Sequence, residues 1–260
     1  MDDIVKNFEI LLSDDNVSEQ KCQNYLEKHS KLIYVPFLLN HWLHFNAIIS
    51  KFPLDRSLIS DFAYLTKSSN FWYFVLVELE HPQKRLFRTQ NGQIIPTAKL
   101  TAAVAQIHAW QDFVRKNNSE ILRRISPLKK PLTNNPVYFK YLLVIGRREQ
   151  RVSGQLARDR LSSLGSKDFF ICTYDSIISA YQECPIFEKN IIRLKRDKYE
   201  FKYLHTEPNG MFAYLTPDDF SMTVSHKKTL IRFGYDINEW EKGELLRLGD
   251  RKPFKTDSSL

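Results

Sequence analysis

The stretch Phe71-Trp72-Tyr73-Phe74-Val75-Leu76-Val77 is the longest apolar run in the chain, and it limits the possible folds more than any other feature. Successive side chains of an extended strand point to opposite faces, so Phe74 and Leu76 share one face while Tyr73, Val75 and Val77 share the other. Both faces are apolar, the pattern of a central strand covered on both sides. The run is far shorter than the ~20 residues a membrane helix needs. It then passes into Glu78-Leu79-Glu80, which puts two carboxylates on one side of a strand otherwise built for burial, and Pro82 stops it.

Around this strand the pattern predicts a mixed α/β domain. A strand is expected near 45–51. Another at 58–65 is joined through the polar turn Lys67-Ser68-Ser69-Asn70 to the strand at 71–80. Asn16 with Glu19 three residues on reads as a capping box for a helix carrying Cys22, Tyr25, Leu26 and His29. Thr97 can cap a long helix to about Asn117, whose apolar face is read as Leu100, Val104, Ile107, Gln111 and Val114. Pro127, Pro131 and Pro136 punctuate a basic loop. A strand at 138–145, a helix at 153–164, a strand at 169–173 and a helix at 175–182 then alternate, the mark of parallel pairing. Residues 187–235 are read as short alternating segments with a turn at Pro208-Asn209-Gly210, with Asp218-Asp219 and Lys227-Lys228 as solvated surface. The expected organisation is an N-terminal extension at 1–17, a main domain at 18–185 and a small β-rich C-terminal appendage at 186–260.

The net charge of +8 is concentrated. Residues 115–160 carry 12 Lys/Arg against 3 Asp/Glu, a net +9, whereas 1–114 sum to −1 and 161–260 to zero. Such a stretch is either a solvated basic face or a surface for a polyanion. Arg123, Arg124, Arg147, Arg148 and Arg151 are the candidate phosphate contacts, because the planar guanidinium matches phosphate oxygens. Three widely spaced cysteines argue against a disulfide framework or a zinc knuckle and suit a reducing cytoplasm. The acidic start Met1-Asp2-Asp3 lacks the pattern of a signal peptide, and no Gly-rich phosphate loop or nucleophile elbow is present. His41 and His44 share a helical spacing but lack a third ligand.

With the turn centred between Ser68 and Ser69, Asp61 falls opposite Leu76, diagonal to Glu78, on the face of both glutamates. Like charges about 5 Å apart repel by roughly 3 kcal/mol at an effective dielectric of ~20. A divalent cation offsets this, and oxygen-rich sites select Mg²⁺ or Mn²⁺. The alternative is a strand that reaches water at Glu78. On the long helix, Lys99 and Gln106 lie seven residues apart on nearly one face, with the small Ala102 and Ala103 between them. That pair either overlooks the carboxylates or, for Lys99, is a first-turn surface lysine.

The order Asp61, Glu78-Leu79-Glu80, Gln106-Ile107-His108-Ala109-Trp110 resembles the PD-(D/E)XK nuclease superfamily. More narrowly, the chain is similar to the nuclease domain of the Shedu family of bacterial anti-phage defence proteins. The resembling segments are Gln23 to His29, Ser60-Asp61-Phe62, Leu76 to Pro82, Leu86-Phe87, Ala103 to Gln106, Leu143 to Arg147 and Thr173-Tyr174-Asp175. The resemblance implies a restriction-endonuclease-like core, a mixed sheet flanked by helices. It implies a metal-dependent endonuclease hydrolysing DNA phosphodiesters in the cytoplasm, as a homo-oligomer and without a membrane. Asp61, Glu78 and Glu80 would be the metal ligands, Gln106 would orient water or a ligand carboxylate, and Lys99 or Lys84 would supply positive charge. One departure stands out: the position the superfamily usually fills with lysine is Glu80. Lys99 or Lys84 acting from another element, a Glu-x-Glu site for two metals, or a catalytically inactive binding or assembly subunit would each account for it.

Overall fold

The computed structural model describes residues 2–148, 155–183, 187–249 and 251–253. The apolar run forms β3 (Trp72–Leu79), with β1 (Ala47–Pro53) and β2 (Ile59–Lys67) before it, and the three make an antiparallel meander. Parallel to β3 lies β6 (Val137–Val144), and parallel to that, after α5 (Gln155–Ser163), β7 (Phe169–Cys172), as the alternating pattern required. On the far side of β1 come β8 (Asn190–Lys195), β9 (Lys198–Tyr203) and β10 (Phe220–Ser221). The eight strands form one mixed sheet in the order β10-β9-β8-β1-β2-β3-β6-β7.

Phe74, Val75 and Leu76 are fully buried because helices cover both faces. On one face Phe74 and Leu76 pack with Ala103, Ile107 and Trp110 of α3 (Ala98–Lys116) and with Ile121 of α4 (Asn118–Ile125). On the other, Val75 and Val77 pack with Val5 and Phe8 of α1 (Asp3–Ser13), Leu26 of α2 (Glu19–Lys28) and Ile177 of α6 (Tyr174–Glu183). The Thr97 hydroxyl caps α3 by accepting the Leu100 N–H at 3.2 Å. The buried face of α3 is Leu100, Ala103, Ile107, Trp110 and Val114. Ala103 and Trp110 thus take the places that the spacing had assigned to Val104 and Gln111, because one small and one very large side chain fit the sheet together. The α2 cap is Ser18, whose Oγ accepts from the Lys21 N–H at 3.2 Å, rather than Asn16. Helices α1 and α4 and the hairpin of β4 (Phe87–Gln90) and β5 (Gln93–Pro96) were not visible as patterns. None of the described helices is long and apolar enough to cross a membrane.

The hairpin register differs from the expected one. Ala63 pairs with Leu76 and Phe62 with Val77, so Asp61 falls opposite Glu78. The Ser68 hydroxyl accepts the N–H groups of Asn70 and Phe71, both at 3.2 Å, which moves the turn centre one residue along. A shift of two in pairing keeps every side chain on its face.

The C-terminal residues differ more. In the part expected as a β-rich appendage, β8 pairs in parallel with β1 and joins the main sheet. Two helices follow, α7 (Val224–Arg232) and α8 (Ile237–Glu241). Asp219, expected as solvated surface, accepts from Lys130 Nζ at 2.6 Å and from Thr216. The expected boundary at 185 and Cys184 lie outside the described residues. Cys22 and Cys172 are buried and form no disulfide among the described residues. His44 is buried against Phe45 and Trp72.

Candidate active site

Strands β1, β2 and β3 place Lys51, Asp61 and Glu78 in one row across the sheet. Lys51 falls opposite Asp61, between the pairs Ser50–Phe62 and Phe52–Ser60, and Asp61 falls opposite Glu78. Each Asp61 oxygen has a partner: Oδ1 lies 2.5 Å from Lys51 Nζ, and Oδ2 accepts the backbone N–H of Leu79 at 2.7 Å. Glu78 Oε1 accepts from Gln106 Nε2 at 2.6 Å. Glu78 Oε2 is buried and accepts no hydrogen bond from a described residue.

The electrostatics follow from this geometry. Burial pushes the Asp61 carboxyl above its ordinary range, against the pull of Lys51 and the Leu79 N–H. Burial pushes Glu78 up strongly, the neighbouring Asp61 charge adds to that, and Gln106 and Lys51 oppose it. Two carboxylates driven toward protonation by burial, Glu78 also by the Asp61 charge, with one oxygen unpartnered among the described residues, form a donor set suited to a hard cation. Mg²⁺ commonly uses one or two carboxylates and keeps several waters, so a pair such as Asp61 and Glu78 could hold it.

The other predicted site residues fall around this pair. Glu80 is 8% exposed and forms an ion pair with Lys84. Lys84 also lies 3.4 Å from Glu19 Oε1, which accepts the His81 N–H at 3.1 Å. No three His, Cys, Asp or Glu side chains among the described residues are grouped so as to hold a metal. Gln106 reaches the site as its helix position implied. Lys99 is exposed on the first turn of α3 and makes no hydrogen bond or ion pair with a described residue.

The candidate phosphate-binding arginines divide. Arg124 donates to Leu54 O at 3.3 Å and to Pro53 O, and pairs with Glu120 at 3.0 Å. Arg147, with its side chain 12% exposed, pairs with Asp175 at 3.0 Å. Arg123 is exposed while pairing with Glu120, and Arg148 is exposed with an Nη2–Ser179 Oγ contact of 3.2 Å. Arg151 lies outside the described residues.

Two supports were not anticipated. Lys51 carried one faint signal, a polar Ser50-Lys51 step inside an otherwise apolar strand. Gln23 of α2 is buried and donates to Asp61 O at 3.0 Å. One turn on, the buried Glu27 accepts from Ser50 Oγ and pairs with Lys202 of β9 at 2.6 Å. The C-terminal strands therefore brace the helix that holds the Asp61 backbone.

The family model for Shedu protein SduA, C-terminal, matches residues 16–178 of the chain, a span that contains Lys51, Asp61, Glu78, Glu80 and Gln106. No curated protein matches it.

Proposed function

The chain belongs to the Shedu SduA C-terminal family, and from that premise we propose that it is a metal-dependent endonuclease that hydrolyses DNA phosphodiesters. The membership points to a role in anti-phage defence. The observation that carries the chemical reading is the facing pair Asp61 and Glu78, with Glu78 Oε2 buried and without a partner among the described residues. The order α2, β1, β2, β3, α3 and β6 supports the same reading, since it agrees with the core that the family resemblance implies.

Asp61 and Glu78 would hold Mg²⁺ or Mn²⁺. When bound, such an ion polarises a phosphoryl oxygen and lowers the pKa of water. The residues of the chain prepare that site. Gln106 fixes Glu78 by its Oε1 and leaves Oε2 as the donor oxygen. The Leu79 N–H fixes Asp61 by its Oδ2 and leaves Oδ1 toward Lys51. Gln23 anchors the Asp61 backbone from the other face of the sheet. The exposed Arg123 and Arg148 would meet the nucleic-acid backbone, positioning it without reading sequence.

The test is cleavage of linear and circular DNA with Mg²⁺ or Mn²⁺ by wild type, Asp61→Asn and Glu78→Gln. Metal-dependent cleavage by wild type, lost in both variants, is the expected result. Mn²⁺ binding without cleavage of any DNA or RNA would favour the inactive binding or assembly subunit instead.

A further inference from the structure

Lys51 sits in β1 with φ of 52°, a left-handed conformation that side chains bearing a Cβ adopt at a cost of about 1–2 kcal/mol. The consequence is visible in the packing. Ile49 and Phe52 both belong to the core on the α3 side, although residues three apart in a regular strand face opposite ways. The left-handed residue between them absorbs the extra step. It keeps Lys51 on the carboxylate side, where Nζ lies 2.5 Å from Asp61 Oδ1. Strained residues of this kind persist where the surroundings over-determine them, and they gather at functional sites.

Among the described residues, no other Lys, Arg or His pairs with Asp61 or Glu78. Lys84 is engaged by Glu80 and Glu19, Arg124 by Glu120 and two carbonyls, and Lys99 stands in solvent. The Lys51 side chain is 45% exposed, so its ammonium reaches both the carboxylate pair and anything bound over it.

We propose that Lys51 is a catalytic residue whose ammonium contacts a non-bridging oxygen of the attacked phosphate and neutralises the charge that builds there. The assignment rests on the nuclease reading above. Hydrolysis adds water across a P–O bond: the hydroxyl goes to phosphorus, the P–O ester bond breaks, and the leaving oxygen takes the proton. Lys51 neither gains nor loses a proton in this account. In the resting protein it offsets Asp61. Were Asp61 and Glu78 to hold a divalent ion, Lys51 would no longer be needed to offset Asp61, and its ammonium would be available to the substrate. A preorganised positive charge aimed at developing negative charge is worth about 10²–10³ in rate.

The experiment compares wild type, Lys51→Ala, Lys51→Arg and Glu78→Gln in DNA cleavage with Mn²⁺, and in Mn²⁺-dependent thermal stabilisation without DNA. Lys51→Ala is expected to lower kcat about 10²–10³-fold with little change in KM. Lys51→Arg should recover part of the loss, as should added propylamine with Lys51→Ala. The Mn²⁺-induced rise in Tm should persist in Lys51→Ala and vanish in Glu78→Gln. Full activity in Lys51→Ala beside an inactive Glu78→Gln would overturn the role of Lys51 and leave the nuclease reading standing. Loss of the Mn²⁺ response in Lys51→Ala would make Lys51 a prop of the carboxylates and overturn the assignment. Absence of cleavage by wild type would remove both readings together.

Discussion

Gln106 Nε2 donates to Glu78 Oε1 at 2.6 Å, tying the middle of a long helix to the end of the central strand. The bond requires the helix to lie close to the sheet, and the buried Ala103 one turn earlier permits it. Gln106→Ala would leave both Glu78 oxygens unpartnered. We expect a loss of about 1–2 kcal/mol in stability by urea denaturation, together with weaker Mn²⁺ binding read as a smaller rise in Tm. An unchanged Mn²⁺ response would show that Glu78 needs no such support.

Glu78→Gln should act oppositely on stability. Replacing a buried carboxylate that faces Asp61 by a neutral amide removes first the cost of burying a charge and then the like-charge repulsion. The variant should therefore melt higher than wild type without divalent cations, by about 1 kcal/mol or more, while losing the stabilisation by Mn²⁺. Calorimetry with and without chelator checks both. A lower Tm in chelator would contradict the repulsion account.

Arg147 and Arg148 are neighbours with different tasks. The Arg147 guanidinium pairs with Asp175 at 3.0 Å and is nearly covered, whereas Arg148 is exposed. Arg147→Ala should lower stability by about 1–3 kcal/mol and leave the salt dependence of DNA affinity unchanged. Arg148→Ala should leave stability intact and reduce the slope of log K against log salt by up to about 0.9. Denaturation curves and anisotropy titrations across salt concentrations separate the two. Equal effects would refute this division.

Lys189 is fully buried, and its ammonium donates to Ser30 O at 3.1 Å, Phe187 O at 3.3 Å and Lys31 O at 3.4 Å. Burial lowers its pKa from 10.5 to about 7. Between those values the unfolded chain holds a proton that the folded chain lacks, so this group makes stability rise as pH climbs from about 7 toward 10.5. Lys189→Met should flatten that rise relative to wild type, by at most roughly 1.4 kcal/mol per pH unit. Unfolding free energies at several pH values between 7 and 10 test it, and parallel curves would count against it.

Much of the core was legible because its signals are local. A strand apolar on both faces needs cover on both, and Phe74, Val75 and Leu76 have it. The spacing from Thr97 onward defines α3 because capping and helical periodicity act within a few residues. The parity that put Asp61 on the face of Glu78 survived a register shift of two, since facing depends only on odd and even positions. The pair Asp61 and Glu78 and the reach of Gln106 could therefore be named from the sequence.

What remained hidden depends on contacts between distant residues. A parallel strand pair such as β1 and β8 leaves no local mark, so residues 190–203 could not be assigned to the main sheet in advance. Lys202 and Glu27 meet only because that pairing brings β9 beside α2. The engagement of Arg124 and Arg147 inside the protein is likewise invisible in a charge count. Lys51 is the sharpest case. Periodicity presumes regular backbone, and a left-handed residue inside a strand breaks that presumption. The sequence determined which strand would be central and which carboxylates would end it. Tertiary structure alone decided which ammonium stands against them, because strand pairing and a single dihedral angle, and not spacing along the chain, set that distance.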